Sequence, residues 1–155
     1  MTDADLPNTG VRERPAEADW TTVPEADIVN FNRDVLGEKL IRLDSATIAR
    51  LRVIPREVHR NPMGTLHGGF VMALVDYAMF AGSAALKGQT GILPAVTIDL
   101  GVRFVGAGDM ERPVDVLVEM VKETGRMVFL RGSVMQEDDL VASWDGILRK
   151  VAKKA

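Results

Sequence analysis

Along residues 96–104 apolar and polar side chains alternate without a break. Val96, Ile98, Leu100, Val102 and Phe104 stand against Thr97, Asp99, Gly101 and Arg103. Period two over that length predicts a strand with one face on a core. The alternation returns in Val114, Val116, Val118 and Met120, and again in Met127–Met135. A last strand sets Leu140, Ala142, Trp144 and Leu148 on one face. Gly106-Ala107-Gly108-Asp109, Glu123-Thr124-Gly125-Arg126 and Gln136-Glu137-Asp138-Asp139 supply the turns. Upstream, Leu40, Ile41 and Leu43 precede the turn signal Asp44-Ser45. Thr47–Val53 then alternates until Pro55, which predicts a hairpin.

Between the hairpin and the four later strands the period changes. From about His67 to Leu86 the chain is almost continuously apolar, and Lys87-Gly88 closes it as a cation and a glycine close a helix. A helix without a polar face must be wrapped by protein or lipid. An antiparallel sheet curled around it meets that need. The expected fold class is α+β, with about five to six antiparallel strands around one long central helix. A long strand left at a sheet edge is an aggregation hazard. Pairing that edge between two copies removes the hazard and makes a two-fold dimer. Residues 1 to about 26, rich in Asp, Glu, Pro and Thr, are expected to be a flexible extension on which Trp20 docks to the body. Ile28–Leu36 is expected to be a short helix stopped by Gly37. This divides the chain into an extension, 1–37, and a domain, 38–155.

Composition narrows the function classes. At 155 residues, 46% hydrophobic and 26% charged, the chain has the balance of one globular domain. Aromatics are only 5%, so aliphatic side chains must fill the core. A net charge of −3 argues against nucleic-acid binding, which needs clustered Lys and Arg. With no cysteine, disulfides, thiol nucleophiles and Cys-based metal sites are excluded. That absence fits a reducing compartment, and no apolar leader precedes Asp19, so a cytoplasmic location is expected. Phe70–Leu86 approaches the roughly 20 residues of a membrane span. Asp76 at its centre would cost about 2.5–3.5 kcal/mol there. The segment therefore reads as the core helix of a protein outside the membrane.

Asp76 is also the main chemical signal. An ionisable group amid Val75, Tyr77, Met79 and Phe80 is expensive unless it is paired or used. Partial desolvation there is expected to raise its basicity. The helix is entered through Asn61-Pro62-Met63-Gly64-Thr65-Leu66-His67-Gly68-Gly69, which offers free backbone N–H groups and the positive dipole end to a polarised carbonyl. Gly68, Met72, Asp76 and Ser83 recur at helical intervals and are expected to share one side.

Asn61-x-x-Gly64-x-x-His67-Gly68-Gly69, Asp76 seven residues after Gly69, Thr97-Ile98-Asp99-Leu100 and Arg103-Phe104 together resemble the hotdog-fold acyl-CoA thioesterases, closest to the phenylacetate-degradation (PaaI-like) branch. The resemblance covers roughly residues 38–150. It implies an acyl-CoA or aroyl-CoA substrate cleaved to acid and CoA, no cofactor and no metal. It also implies a homodimer joined through sheet edges, often paired into a tetramer. Asp76 would be nucleophile or general base. Gly68 N–H would polarise the thioester carbonyl, Asn61 would orient water or carbonyl, and Thr97 would assist Asp76. Asp76 and Thr97 of one subunit would face Asn61 and Gly68 of the other. His67, Gly69 and Met72 are the expected substrate contacts, and Arg103, Lys122 and Arg126 the expected phosphate rim.

The helix spacing points the same way independently. Eight residues separate Gly68 from Asp76, about 12 Å along a helix. One Asp76 cannot reach a carbonyl held at its own Gly68. Each residue also has a plainer reading. Gly68 and Gly69 can serve close packing, Asn61 a turn, and Thr97 the polar side of its strand. His67 fits a cap better than a base, and Ser83 reads as a packing residue. His59 and His67 do not make a metal pair. Two other functions share this pattern: hydration or dehydration of an acyl thioester, drawing on His67, and non-catalytic acyl-CoA binding.

Overall fold

The computed structural model describes residues 19–152. Of the extension expected over residues 1 to about 26, residues 1–18 lie outside the described residues. The seven strands are β1 (Thr21–Thr22), β2 (Leu40–Leu43), β3 (Ile48–Val53), β4 (Ala95–Phe104), β5 (Val114–Glu123), β6 (Met127–Gln136) and β7 (Asp139–Lys150), and one long helix, α1 (Gly68–Leu86), stands between β3 and β4. All seven strands form a single antiparallel sheet in the order β1-β2-β3-β5-β6-β7-β4. That is one strand more than the five to six expected. The extra one is β1, too short to show any alternation. Thr21 pairs with Ile41 and Thr22 with Leu40, and the guanidinium groups of Arg42 and Arg52 lie over the Trp20 ring, 4.5 and 4.6 Å from its centre. A single helical turn occupies Asn32–Leu36, inside the segment expected to be helical.

The predicted hairpins form in register. Leu40 faces Arg52 across β2–β3, and Asp115 faces Met135 across β5–β6. The two-residue turn between β6 and β7 works because Glu137 takes a left-handed φ of 54°. Lys87 ends α1 and Gly88, at φ 68°, carries the chain away. The concave face of the sheet holds α1. Leu74, Val75, Ala78, Met79 and Ala81 are fully buried against Leu51, Val116, Val118 and Leu148. Each of the larger side chains contributes about 1.5–3 kcal/mol of burial. Glycines on the facing strands and on α1 let the layers approach. A methyl on Gly146 would collide with Met79 at 2.6 Å, and one on Gly82 with Val118 at 2.8 Å.

Two expectations change. The sheet does not enclose α1 completely: Met72, Ala73, Asp76 and Phe80 form a stripe left partly open, with Met72 42% exposed. Ser83 does not lie with them but is fully buried in the core. The reason lies in β4, an edge strand in this chain. Its apolar set is split: Leu100 and Val102 pack against the core as the alternation predicts, but Val96 is 40%, Ile98 50% and Phe104 48% exposed. α1 is the one helix, among the described residues, long and apolar enough to cross a bilayer, and it is packed inside this sheet.

Candidate active site

The site begins in the loop that feeds α1. Arg60 and Leu66 form an isolated bridge, and Asn61 ties the turn between them. Asn61 Oδ1 accepts from the N–H groups of Met63 (2.9 Å) and Thr65 (3.1 Å). Its Nδ2 donates to Thr65 Oγ1 at 2.8 Å and, less closely, to the Leu66 carbonyl at 3.4 Å. The carboxamide is thus engaged on both its oxygen and its nitrogen within its own loop. Leu66 N–H reaches the Gly108 carbonyl and His67 N–H the His59 carbonyl, at 2.9 and 2.8 Å. Together these bonds fix where the chain turns into α1.

His67 is the N-cap. Its backbone is extended and its Nδ1 accepts from Gly69 N–H at 2.9 Å. Gly68 takes the first helical position, and its N–H has no acceptor among the described residues. A methyl there would touch the Phe104 ring at 3.4 Å, an ordinary contact, so space alone does not require glycine. At Gly69 a methyl would press on the capping imidazole at 3.0–3.1 Å.

Asp76 lies on the open stripe of α1, half-buried rather than sealed. Thr97 Oγ1 donates to its Oδ1 at 2.6 Å, and Oδ2 has no partner among the described residues. The register of β4 slips between Thr97 and Asp99, a bulge that re-aims the strand beside this bond. Next to Asp76 opens a cleft of about 320 Å³, walled by Asn32, Tyr77, Phe80 and Ile92–Ala95. Most of that wall is apolar.

The fold therefore brings Thr97 to Asp76 but holds Gly68 at the far end of β4, beside Phe104. Met72 lies on the stripe between them. The proposed rim is not gathered in one chain either. Arg103, near the Phe104 end, pairs with Asp145 at 2.6 Å. Lys122 and Arg126 stand exposed at the β5–β6 hairpin, where the Arg126 carbonyl accepts from Lys150 N–H. Neither has an ion pair among the described residues.

Sequence reasoning missed a group under the cleft. Lys39, the residue before β2, is 1% exposed, pairs with Glu25, and lies 4.6 Å from the centre of the Tyr77 ring. Burial pushes the Lys39 ammonium below its usual pKa, against the pull of Glu25. Burial, reinforced by Glu25, raises the Tyr77 hydroxyl well above the tyrosine range. A lysine beside an apolar strand gives no sign of this in the sequence, since most such lysines face water.

The sequence profile of the thioesterase superfamily matches residues 63–143. No curated protein sequence matches the chain. Among solved structures, a variant of the phenylacetic acid degradation protein PaaI from Thermus thermophilus is 26% identical, with 72% of this chain and 91% of that one covered and a TM-score of 0.60. Zebra fish thioesterase superfamily member 2 is 21% identical over 81% and 89% of the two chains, TM-score 0.66. A hypothetical thioesterase with coenzyme A from Streptococcus pneumoniae is 16% identical over 70% and 85%, TM-score 0.59. The fold of residues 19–152 is the hotdog fold those structures share, one long helix in the curl of an antiparallel sheet.

Proposed function

The chain belongs to the thioesterase superfamily, and from that membership we propose that it hydrolyses acyl-CoA thioesters with Asp76 as the reacting carboxylate. The observation that carries this is the Thr97–Asp76 bond. Thr97 occupies one carboxylate oxygen at 2.6 Å and orients the group, leaving the other oxygen open beside an apolar cleft. That oxygen either attacks the acyl carbon or takes a proton from the water that does. Either way the C–S bond breaks and the CoA thiolate leaves and takes up a proton. Water attack releases the acid directly, whereas direct attack leaves an anhydride between Asp76 and the acyl group, which a second water hydrolyses to free the acid and restore the carboxylate.

The carbonyl oxygen needs a donor while charge develops on it, and one preorganised donor is worth about 3–4 kcal/mol of barrier. The unused Gly68 N–H is such a donor, about 12 Å away along the helix of its own chain. Two-fold pairing of β4 with a second β4 resolves the distance. An antiparallel pair centred near Leu100–Gly101 sets the Phe104 end of one strand opposite the Thr97 end of the other. The Gly68 beside that Phe104 then comes to the Asp76 beside that Thr97. Exposed Val96, Ile98 and Phe104 on β4 support such pairing. In this arrangement Asn61 acts by holding the loop that presents Gly68, while His67, Gly69 and Met72 border the entrance. The CoA phosphates are drawn to Lys122 and Arg126, with Arg103 available on release from Asp145. The coenzyme A in the pneumococcal structure supports the choice of carrier.

Free-thiol release from short, long and aromatic acyl-CoAs tests the proposal. Wild type turns over part of the panel, and Asp76→Asn lowers kcat by roughly two to four orders of magnitude with oligomeric state unchanged. Full activity in that variant refutes the mechanism. Tight acyl-CoA binding by wild type without thiol release replaces hydrolysis with a binding function.

A further inference from the structure

The wall of the Asp76 cleft is not built from the family-matched residues alone. Asn32 lines it, and residue 32 lies well before the matched stretch of 63–143. The short turn that carries Asn32 is fastened through its backbone. Buried Lys39 donates its ammonium to the Asn32 carbonyl. Arg56 donates to the carbonyls of Asp34 (2.9 Å) and Val35 (2.6 Å), and His59 Nε2–H donates to the Val35 carbonyl at 2.7 Å. Leu36 is fully buried beneath. All these anchors take main-chain oxygens, so they hold the strap in place whatever side chain position 32 carries. The Asn32 carboxamide itself makes no hydrogen bond among the described residues. The same Lys39 lies over Tyr77, the next wall residue, and pairs with Glu25.

We propose that the strap Glu25–Leu36 is the acyl-length gauge of this enzyme: Asn32 is a specificity-determining residue that limits the depth of the Asp76 cleft, and Lys39 is the positioning residue that fixes strap and Tyr77 at one spacing. The proposal rests on the reading of Asp76 as the reacting carboxylate. An acyl chain that outgrows the cleft must displace a wall held by several main-chain bonds. A wall of that kind selects by size, because packed surroundings yield little to a few added methylenes.

The test compares Asn32→Trp and Asn32→Ala with wild type on acetyl-, hexanoyl- and dodecanoyl-CoA. The same comparison is made by calorimetry with the matching non-hydrolysable S-alkyl-CoA thioethers. Asn32→Trp is expected to lower the long-to-short ratio of kcat/KM, and of thioether affinity, at least about tenfold. Asn32→Ala is expected to raise both. The double variant Lys39→Met/Glu25→Gln, which leaves no buried charge unpaired, is expected to blunt chain-length discrimination through KM rather than kcat. Unchanged ratios in both Asn32 variants overturn the gauge while wild-type turnover leaves the hydrolase reading standing. If wild type hydrolyses none of the thioesters, the hydrolase reading falls, and the thioether affinities alone decide the gauge.

Discussion

At the scale of single residues, the two histidines show how much one side chain's surroundings decide. His67 is exposed and caps the helix, as its place before Gly68-Gly69 suggests. His59 carries no such signal, yet it is 1% exposed, stacked on Phe70 at 3.8 Å, with Nδ1 accepting from Arg56 N–H and Nε2–H donating to Val35. Both nitrogens are used in the neutral form, and burial lowers the pKa. The unfolded chain then binds the proton more readily than the folded one, at pH values below about 6.5. The contribution is complete above that pH and is lost as pH falls through the window beneath it. The melting temperature is expected to drop between pH 7 and pH 5, and to drop less in His59→Asn. Equal drops in the two proteins would show that His59 does not titrate this way. Asn61 makes the complementary point. Its motif spacing is legible, but the bonds that occupy its carboxamide depend on Thr65 and Leu66 folding back over it.

At the scale of elements, α1 was the most legible part of the chain, and its boundaries follow the apolar run from His67 to Lys87. What the run hides is how closely the helix lies on the sheet. Gly82 faces Val118 so tightly that a methyl would sit 2.8 Å from the valine side chain. Gly82→Ala gains helix propensity but forces α1 off β5, and the net cost is expected to be about 1–3 kcal/mol in urea unfolding. Adding Val118→Ala should recover part of that loss. Additive losses in the double variant would mean the two residues do not meet. β4 is the converse case. Its alternation was plain, but its bulge at Ile98, which turns Thr97 toward Asp76, leaves no mark in a pattern of apolar and polar letters.

At the scale of the whole molecule, Val96, Ile98 and Phe104 on the edge strand β4 and Met72 on the open stripe of α1 are apolar side chains that a single chain leaves exposed. Light scattering is expected to give a mass of at least twice 16.9 kDa. The pair Val96→Asp and Ile98→Asp should shift it toward monomer and abolish thioester hydrolysis with it. A monomeric variant that keeps full activity would disprove a site shared between chains. The succession of two strands, one long helix and four strands along the chain, the entry motif and the isolated Asp76 follow from the sequence alone, because each rests on local periodicity and on the cost of a lone carboxylate among apolar neighbours. Two things were decided only by tertiary structure, the burial of Lys39 under the cleft and the placing of Asn32 in its wall, while the nearness of Thr97 to Asp76 was expected from the family resemblance and not from any pattern of the residues. Each joins residues far apart in the chain through hydrogen bonds and packing, and no short-range pattern encodes contacts that exist only after the sheet has closed around the helix.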